Sequence, residues 1–191
     1  KSGNGGMNNS WVSRNQGLAI TQYYKIGTSE SAPALTIAGA QDNGTHLNDN
    51  GWDRVGGGDG MDCAIALGNS NTMYRSIYYG DFDKSTNGGN NFNATFNLPP
   101  SGSGNWVTPF IASRISSNIL YAGFDRLWKS TNGGINFNAT TSSGIFGSNN
   151  IDVIAEAPGD PNTLYAGINN RLYYSSNAGL NWTWISSNIG S

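Results

Sequence analysis

Asp42 and Asp59 are the carboxylates best placed to do chemistry in this sequence. Asp42 lies in "AGAQDNGT" and Asp59 in "GGGDG", both glycine-containing loops. Two carboxylates held about 5–9.5 Å apart could cleave a glycosidic bond, as an acid/base pair or as acid and nucleophile. The plainer expectation is that such side chains bond the backbone of their own turns. Glu30 and Glu156 are the only glutamates, and neither has the Tyr and Arg neighbours of a Tyr-Glu nucleophile pair. His46 is the only histidine and Cys63 the only cysteine, so no zinc site of ordinary composition can be assembled. Asp42, Asp59 or Asp62 could offer oxygen to calcium, but their loops lack the alternating ligand spacing of a calcium loop. No metal or other cofactor is therefore expected. Binding needs less than catalysis. Asn43, Tyr78, Tyr79, Trp106 and Asp125, with Asp42 and Asp59, offer aromatic faces and fixed polar groups that suit sugars or peptides.

Those residues must be positioned by the elements around them, and the sequence repeats itself. "KSTNGGNNFNAT" from Lys84 and "KSTNGGINFNAT" from Lys129 differ only where Asn90 becomes Ile135, and they start 45 residues apart. A looser copy, "YSSNAGLNWTW" from Tyr174, follows after another 45. "ILYAGF" from Ile119 returns as "TLYAGI" from Thr163, with "TIAGAQ" from Thr36 and "TMYRSI" from Thr72 as poorer versions. "KSGNGG" at the start and "LNDNGW" from Leu47 extend the phrase backwards. Each unit holds four short apolar runs rich in Ile, Tyr, Trp and Thr, separated by turn residues, and no sustained helical period. Four strands in a unit of roughly 40–45 residues make one propeller blade.

The repeated phrase suits a tight reversal between the third and fourth strands. Gly89, Gly134 and Gly179 accept positive φ, while Ser85, Ser130 and Ser175 with Asn87, Asn132 and Asn177 bond nearby N–H groups. Phe92, Phe137 and Trp182, three residues further on, would place a ring between adjacent sheets. The expected fold is all-β, a β-propeller of four-stranded antiparallel blades at about 12–53, 60–97, 105–142 and 149–187. Residues 1–11 read as the end of a preceding blade.

Ser-x-Asn-x-Gly-x-x-aromatic resembles the Asp-box, or BNR, repeat, with Asn standing where that family has Asp. "GLAITQYY" from Gly17, "AGAQDNGT" from Ala38 and "GGGDG" from Gly56 sharpen the likeness to the sortilin-like and xyloglucanase-like group, including large surface proteins of Bacteroidetes-type bacteria. The resemblance spans essentially the whole chain and implies a secreted or cell-surface location. It implies the fold more than the activity, because the Asp-box is structural in enzymes and non-enzymes alike. Propellers of this kind usually close with six to eight or more blades. The chain's 191 residues hold about four units. An arc of a larger ring is expected, its open faces covered by remaining blades or another chain, with four-blade closure as the alternative.

Composition narrows the partners. The net charge of −2 comes without any Lys/Arg cluster, so no electrostatic footprint for nucleic acid is present. No apolar run approaches the ~18 residues of a membrane span. Cys63, within "DCAIAL", reads as a small buried residue on the strand nearest the axis. The favoured function is a non-catalytic scaffold that binds glycan or protein through the interblade and second-to-third strand loops. The alternative is part of a xyloglucanase-like glycoside hydrolase whose cleft is completed elsewhere.

Overall fold

A computed structural model describes residues 5, 12–13, 16–17, 20–95, 98, 104–142 and 144–186. The stretch read as the end of a preceding blade lies outside these, apart from Gly5. Among the described residues sixteen strands form four antiparallel four-stranded sheets, each built from consecutive strands. The first comprises β1 (Tyr23–Thr28), β2 (Thr36–Ala40), β3 (Gly44–Asn48) and β4 (Trp52–Arg54). The second comprises β5 (Cys63–Ala66), β6 (Asn69–Ile77), β7 (Asp81–Ser85) and β8 (Ala94–Thr95). The third comprises β9 (Phe110–Ala112), β10 (Leu120–Gly123), β11 (Leu127–Ser130) and β12 (Asn138–Ala139). The fourth comprises β13 (Val153–Glu156), β14 (Leu164–Ile168), β15 (Arg171–Ser175) and β16 (Thr183–Trp184). First strands meet from sheet to sheet, β1 with β5, β5 with β9 and β9 with β13, so they lie nearest the common axis.

Strand alternation gives every inner sheet two apolar faces. In β14, Leu164, Ala166 and Ile168 are buried against the third sheet, while Tyr165 and Gly167 point the other way. Three cores result, one per junction. Ile37 and Leu47 meet Cys63, Ile65 and Met73 between sheets one and two. Tyr74 and Phe82 meet Phe110, Leu120 and Phe124 between sheets two and three. Tyr121 and Leu127 meet Ile151, Ile154 and Leu164 between sheets three and four. Phe92, Phe137 and Trp182 pack into these three cores in turn, each against the junction with the preceding sheet. A fully buried Phe side chain stabilises by about 1.5–3 kcal/mol, so these rings join the sheets. Gly39 allows sheet one its close approach to sheet two, because a Cβ there would stand 2.0 Å from the Met61 carbonyl oxygen.

The repeated phrase forms one turn three times over. Ser85 Oγ accepts the N–H groups of Asn87 and Gly89 and donates to Asn87 Oδ1, which also accepts the Asn91 N–H. Ser130 with Asn132, and Ser175 with Asn177, make the same four bonds. Gly89, Gly134 and Gly179 have φ of 85°, 89° and 86°. The preceding position is also left-handed, at Gly88, Gly133 and, with a Cβ, Ala178 at φ 56°. Each turn reaches back to its own sheet, to the start of the second strand or the connection just before it. Gly88, Gly133 and Ala178 donate to the carbonyls of Asn71, Asn118 and Asn162. "LNDNGW" in sheet one makes a different, shorter turn, in which Asn48 Oδ1 accepts the Gly51 N–H. Leu47 stands where the other three turns have serine, so the hydroxyl that centres their network is missing here.

Candidate ligand-binding site

The second-to-third strand loops meet the interblade loops on the face opposite the repeated turns. Gly60 donates to the Ala40 carbonyl, Gly123 to Pro109, and Ile151 to Phe124. The loop after β6 carries Tyr78, Tyr79 and Gly80 in a short 3-10 turn. Two backbone bonds tie it to the loop before β9: Tyr79 N–H to the Trp106 carbonyl, and Gly104 N–H to the Tyr79 carbonyl. Phe124 and Thr108 pack beneath Gly80, where a Cβ would come within 2.7 Å of the Phe124 ring. The loops are therefore held from both sides.

This brings three sequence-nominated residues together. Tyr78 stacks on Trp106 with centroids 5.4 Å apart and planes 14° apart. Tyr79 stands edge-on to both, 5.8 Å from Tyr78 and 5.4 Å from Trp106. The three rings are 40%, 49% and 44% exposed in the order Tyr78, Tyr79, Trp106. Tyr79 has φ 63°, a conformation that costs a bulky L-residue about 1–2 kcal/mol. The two backbone bonds to the loop before β9 hold it there. Trp106 Nε1–H donates to the Tyr24 hydroxyl of sheet one at 3.4 Å, bridging 82 residues of chain.

Asp42 and Asp59 also meet, through a backbone bond. Asp59 Oδ1 accepts the Asp42 N–H at 2.5 Å, and Asp42 itself has φ 58°. Gly58, beside Asp59, lies next to Tyr78, since a Cβ there would stand 3.9 Å from that ring. Asn43 is exposed and donates to the Gln41 carbonyl. Asp125 pairs with its neighbour Arg126, at 3.1 Å from Nε. Sequence reasoning missed Tyr24 and Asp152 and considered Asp62 only as a calcium oxygen; both aspartates immediately precede a first strand. Their shared place in the 45-residue beat, 90 residues apart, was the available signal. Asp152 accepts the Asn169 N–H at 2.6 Å and the Asn105 amide at 2.7 Å, which braces the residue next to Trp106.

Asp62 is 3% exposed and ties three sheets together. Its Oδ1 accepts the Cys63 N–H at 2.9 Å, and its Oδ2 accepts the Phe110 N–H at 3.0 Å and faces Lys25 Nζ at 3.5 Å. Burial pushes its carboxyl above the usual aspartate range against the opposing pull of Lys25 and the two N–H groups. Burial, with the Asp62 charge beside it, pushes the Cys63 thiol up to about 12. That thiol, 5% exposed against the Ile37 carbonyl, is a packing group and not a nucleophile. No group of three or more His, Cys, Asp or Glu able to hold a metal occurs among the described residues.

No family model matches the chain, and no curated protein matches it. Solved structures do. An ancestral GH74 enzyme is 20% identical, with a TM-score of 0.65 over 87% of this chain and 24% of its own. The GH74 xyloglucanase of Xanthomonas campestris is 15% identical, with a TM-score of 0.64 over 88% of this chain and 32% of its own. YCF48 from Cyanidioschyzon merolae is 15% identical, with a TM-score of 0.59 over 86% of this chain and 56% of its own. YCF48 bound to D1 peptide is 14% identical, with a TM-score of 0.50 over 65% of this chain and 40% of its own. The chain is an arc of four β-propeller blades. At these identities the likeness carries the fold, and the arc spans only part of each of these proteins. No helix among the described residues is long and apolar enough to cross a membrane.

Proposed function

We propose that this arc is a non-catalytic recognition module of an exported or cell-surface protein, binding a glycan or protein ligand at Tyr78, Tyr79 and Trp106. Asp42, Asn43 and Asp59 form the polar rim, and Asp125 lies on the neighbouring loop of the same face. The observation that carries this reading is Tyr79: a strained, half-exposed ring fixed by two backbone bonds between two other exposed rings. A prearranged aromatic surface loses little entropy on binding, and ring faces suit both pyranose C–H groups and peptide side chains. The Ser-x-Asn-x-Gly turns are read as Asp-box repeats with Asn in the Asp position, serving the fold on the opposite face. The structural neighbours support both ligand classes, one being a xyloglucanase and another bound to a peptide.

A hydrolase reading draws on the GH74 likeness, but of the candidate pair Asp59 commits Oδ1 to the Asp42 N–H, the turn-bonding role expected of such loop aspartates. Binding to a glycan array and an immobilised peptide library tests the proposal. The triple variant Tyr78→Ala, Tyr79→Ala, Trp106→Ala should abolish binding, while Thr131→Ala on the repeated-turn face should leave it intact. Binding that survives the triple variant but fails in turn-face variants would place recognition on the wrong face. Release of reducing sugar from a bound glucan would favour the hydrolase.

A further inference from the structure

We propose that a small cavity between the third and fourth sheets binds an acidic sugar, a hexuronate unit whose carboxylate seats on Arg171. The cavity, of about 180 Å³, is lined by Phe146 and Tyr173 together with Asn149, Asn169, Asn170 and Arg171. The inference stands on this cavity alone and not on the aromatic site.

Two exchanges within the repeat single this arginine out. Arg126 and Arg171 occupy one repeat position, the first immediately before β11 and the second opening β15. In sheet three the guanidinium is neutralised, since Arg126 Nε–H reaches both oxygens of Asp125 at 3.1 Å. In sheet four Asn170 stands where Asp125 stood, and among the described residues no carboxylate forms an ion pair with Arg171. The second exchange lies on the fourth strand. Trp128 faces Ala139 across β11 and β12, whereas Tyr173 faces Trp184 across β15 and β16. The Arg171 guanidinium lies over the Trp184 ring, 4.9 Å from its centroid. A planar cation stacked by its face keeps its in-plane N–H groups free, and these form the fork that fits a carboxylate. One exchange removes the internal anion, and the other supplies a platform that holds the cation.

The rest of the lining favours a sugar as the bearer of that carboxylate. Asn149, Asn169 and Asn170 are exposed amides, and an amide both donates and accepts, which matches neighbouring hydroxyls on one ring. The Phe146 and Tyr173 rings meet edge to face, 5.0 Å apart, and give the cavity an apolar wall for ring C–H groups. The volume suits a single ring, whereas an extended peptide needs a sheet edge or a longer groove. Asp152 does not line the cavity, and its two oxygens are taken by the Asn105 amide and the Asn169 N–H. The same bond fixes Asn169 before any ligand arrives.

The test titrates the chain with sodium glucuronate, its neutral methyl ester and N-acetyl-alanyl-alanine, following the Arg171 Nε–H and Trp184 indole N–H signals by NMR. Glucuronate should bind about tenfold or more tightly than the ester, the difference a charge-assisted pair contributes. Arg171→Gln should remove that difference. Asn170→Asp provides a second variant that restores the aspartate sheet three already tolerates; it should pair Arg171 internally and weaken glucuronate about tenfold as well, with the thermal melt unchanged. The triple variant Tyr78→Ala, Tyr79→Ala, Trp106→Ala should still bind glucuronate, so failure of the aromatic site and failure of this one are told apart. No shift in the wild-type spectrum at millimolar glucuronate, or equal affinity for acid and ester, overturns the proposal. The acetylated dipeptide binding as tightly as glucuronate would make a peptide carboxylate the ligand and would also overturn it.

Discussion

Replacing Asp62 with alanine should destabilise the arc more than any change to its exposed carboxylates, and the loss should grow as the pH falls. The side chain is 3% exposed and accepts two backbone N–H groups, from Cys63 in its own sheet and Phe110 in the next. Alanine leaves both donors buried without an acceptor, at about 1–3 kcal/mol each. Lys25 adds little to this loss, because its ammonium is 44% exposed and screened by water. Removing a buried charge recovers part of the cost, which leaves a net loss of about 3 kcal/mol at neutral pH. For a chain of this length that lowers the unfolding midpoint by about 6–12 °C. The pH dependence runs opposite to that of an exposed, paired aspartate. Burial raises the folded-state titration of Asp62 above its unfolded one, so between the two the native state binds more protons. The wild-type protein therefore gains stability from this group as acid is added through that interval, and loses it as pH rises through the folded titration. Alanine has no such gain, so the gap between the two proteins widens on acidification. Paired thermal melts from neutral to mildly acidic pH measure this. A midpoint within about 2 °C of wild type at neutral pH, or a gap that narrows in acid, would refute the reasoning.

Phe137→Ala should cost about 3–5 kcal/mol in urea unfolding, because its ring is 8% exposed within the core between sheets two and three. Ser130→Ala should cost about 1–3 kcal/mol by the same measurement, since the buried Gly134 N–H loses the hydroxyl that accepts it. Tyr79→Gly should leave the unfolding midpoint unchanged or slightly raised, because glycine takes φ 63° without strain. The same variant should lose ligand in the array assay. A folded variant that still binds would remove Tyr79 from the site.

Much of the architecture was legible because its determinants are local. The turn at Ser130 closes within seven residues, from Ser130 to Asn136, and needs only a hydroxyl, an amide and a glycine free to take φ 89°. Writing that phrase repeatedly at a 45-residue spacing is enough to announce repeated four-stranded units. The apolar periodicity of "TLYAGI" likewise specifies a strand with two different faces. What the letters leave undetermined is which distant groups meet when the units stack. Asp62 bonds Phe110 across 48 residues, and Trp106 bonds Tyr24 across 82. Neither pairing has a local spacing to betray it, because inter-sheet contacts depend on the twist and radius of the whole arc. Asp42 and Asp59 illustrate the same division. Their residue types nominated them, yet only the tertiary structure turned the Asp59 carboxylate onto the Asp42 N–H. Tyr78, Tyr79 and Trp106 were three separate aromatic residues in two loops of the sequence. They became one surface because two backbone bonds and the Phe124 ring beneath Gly80 fix the loops of neighbouring sheets against each other.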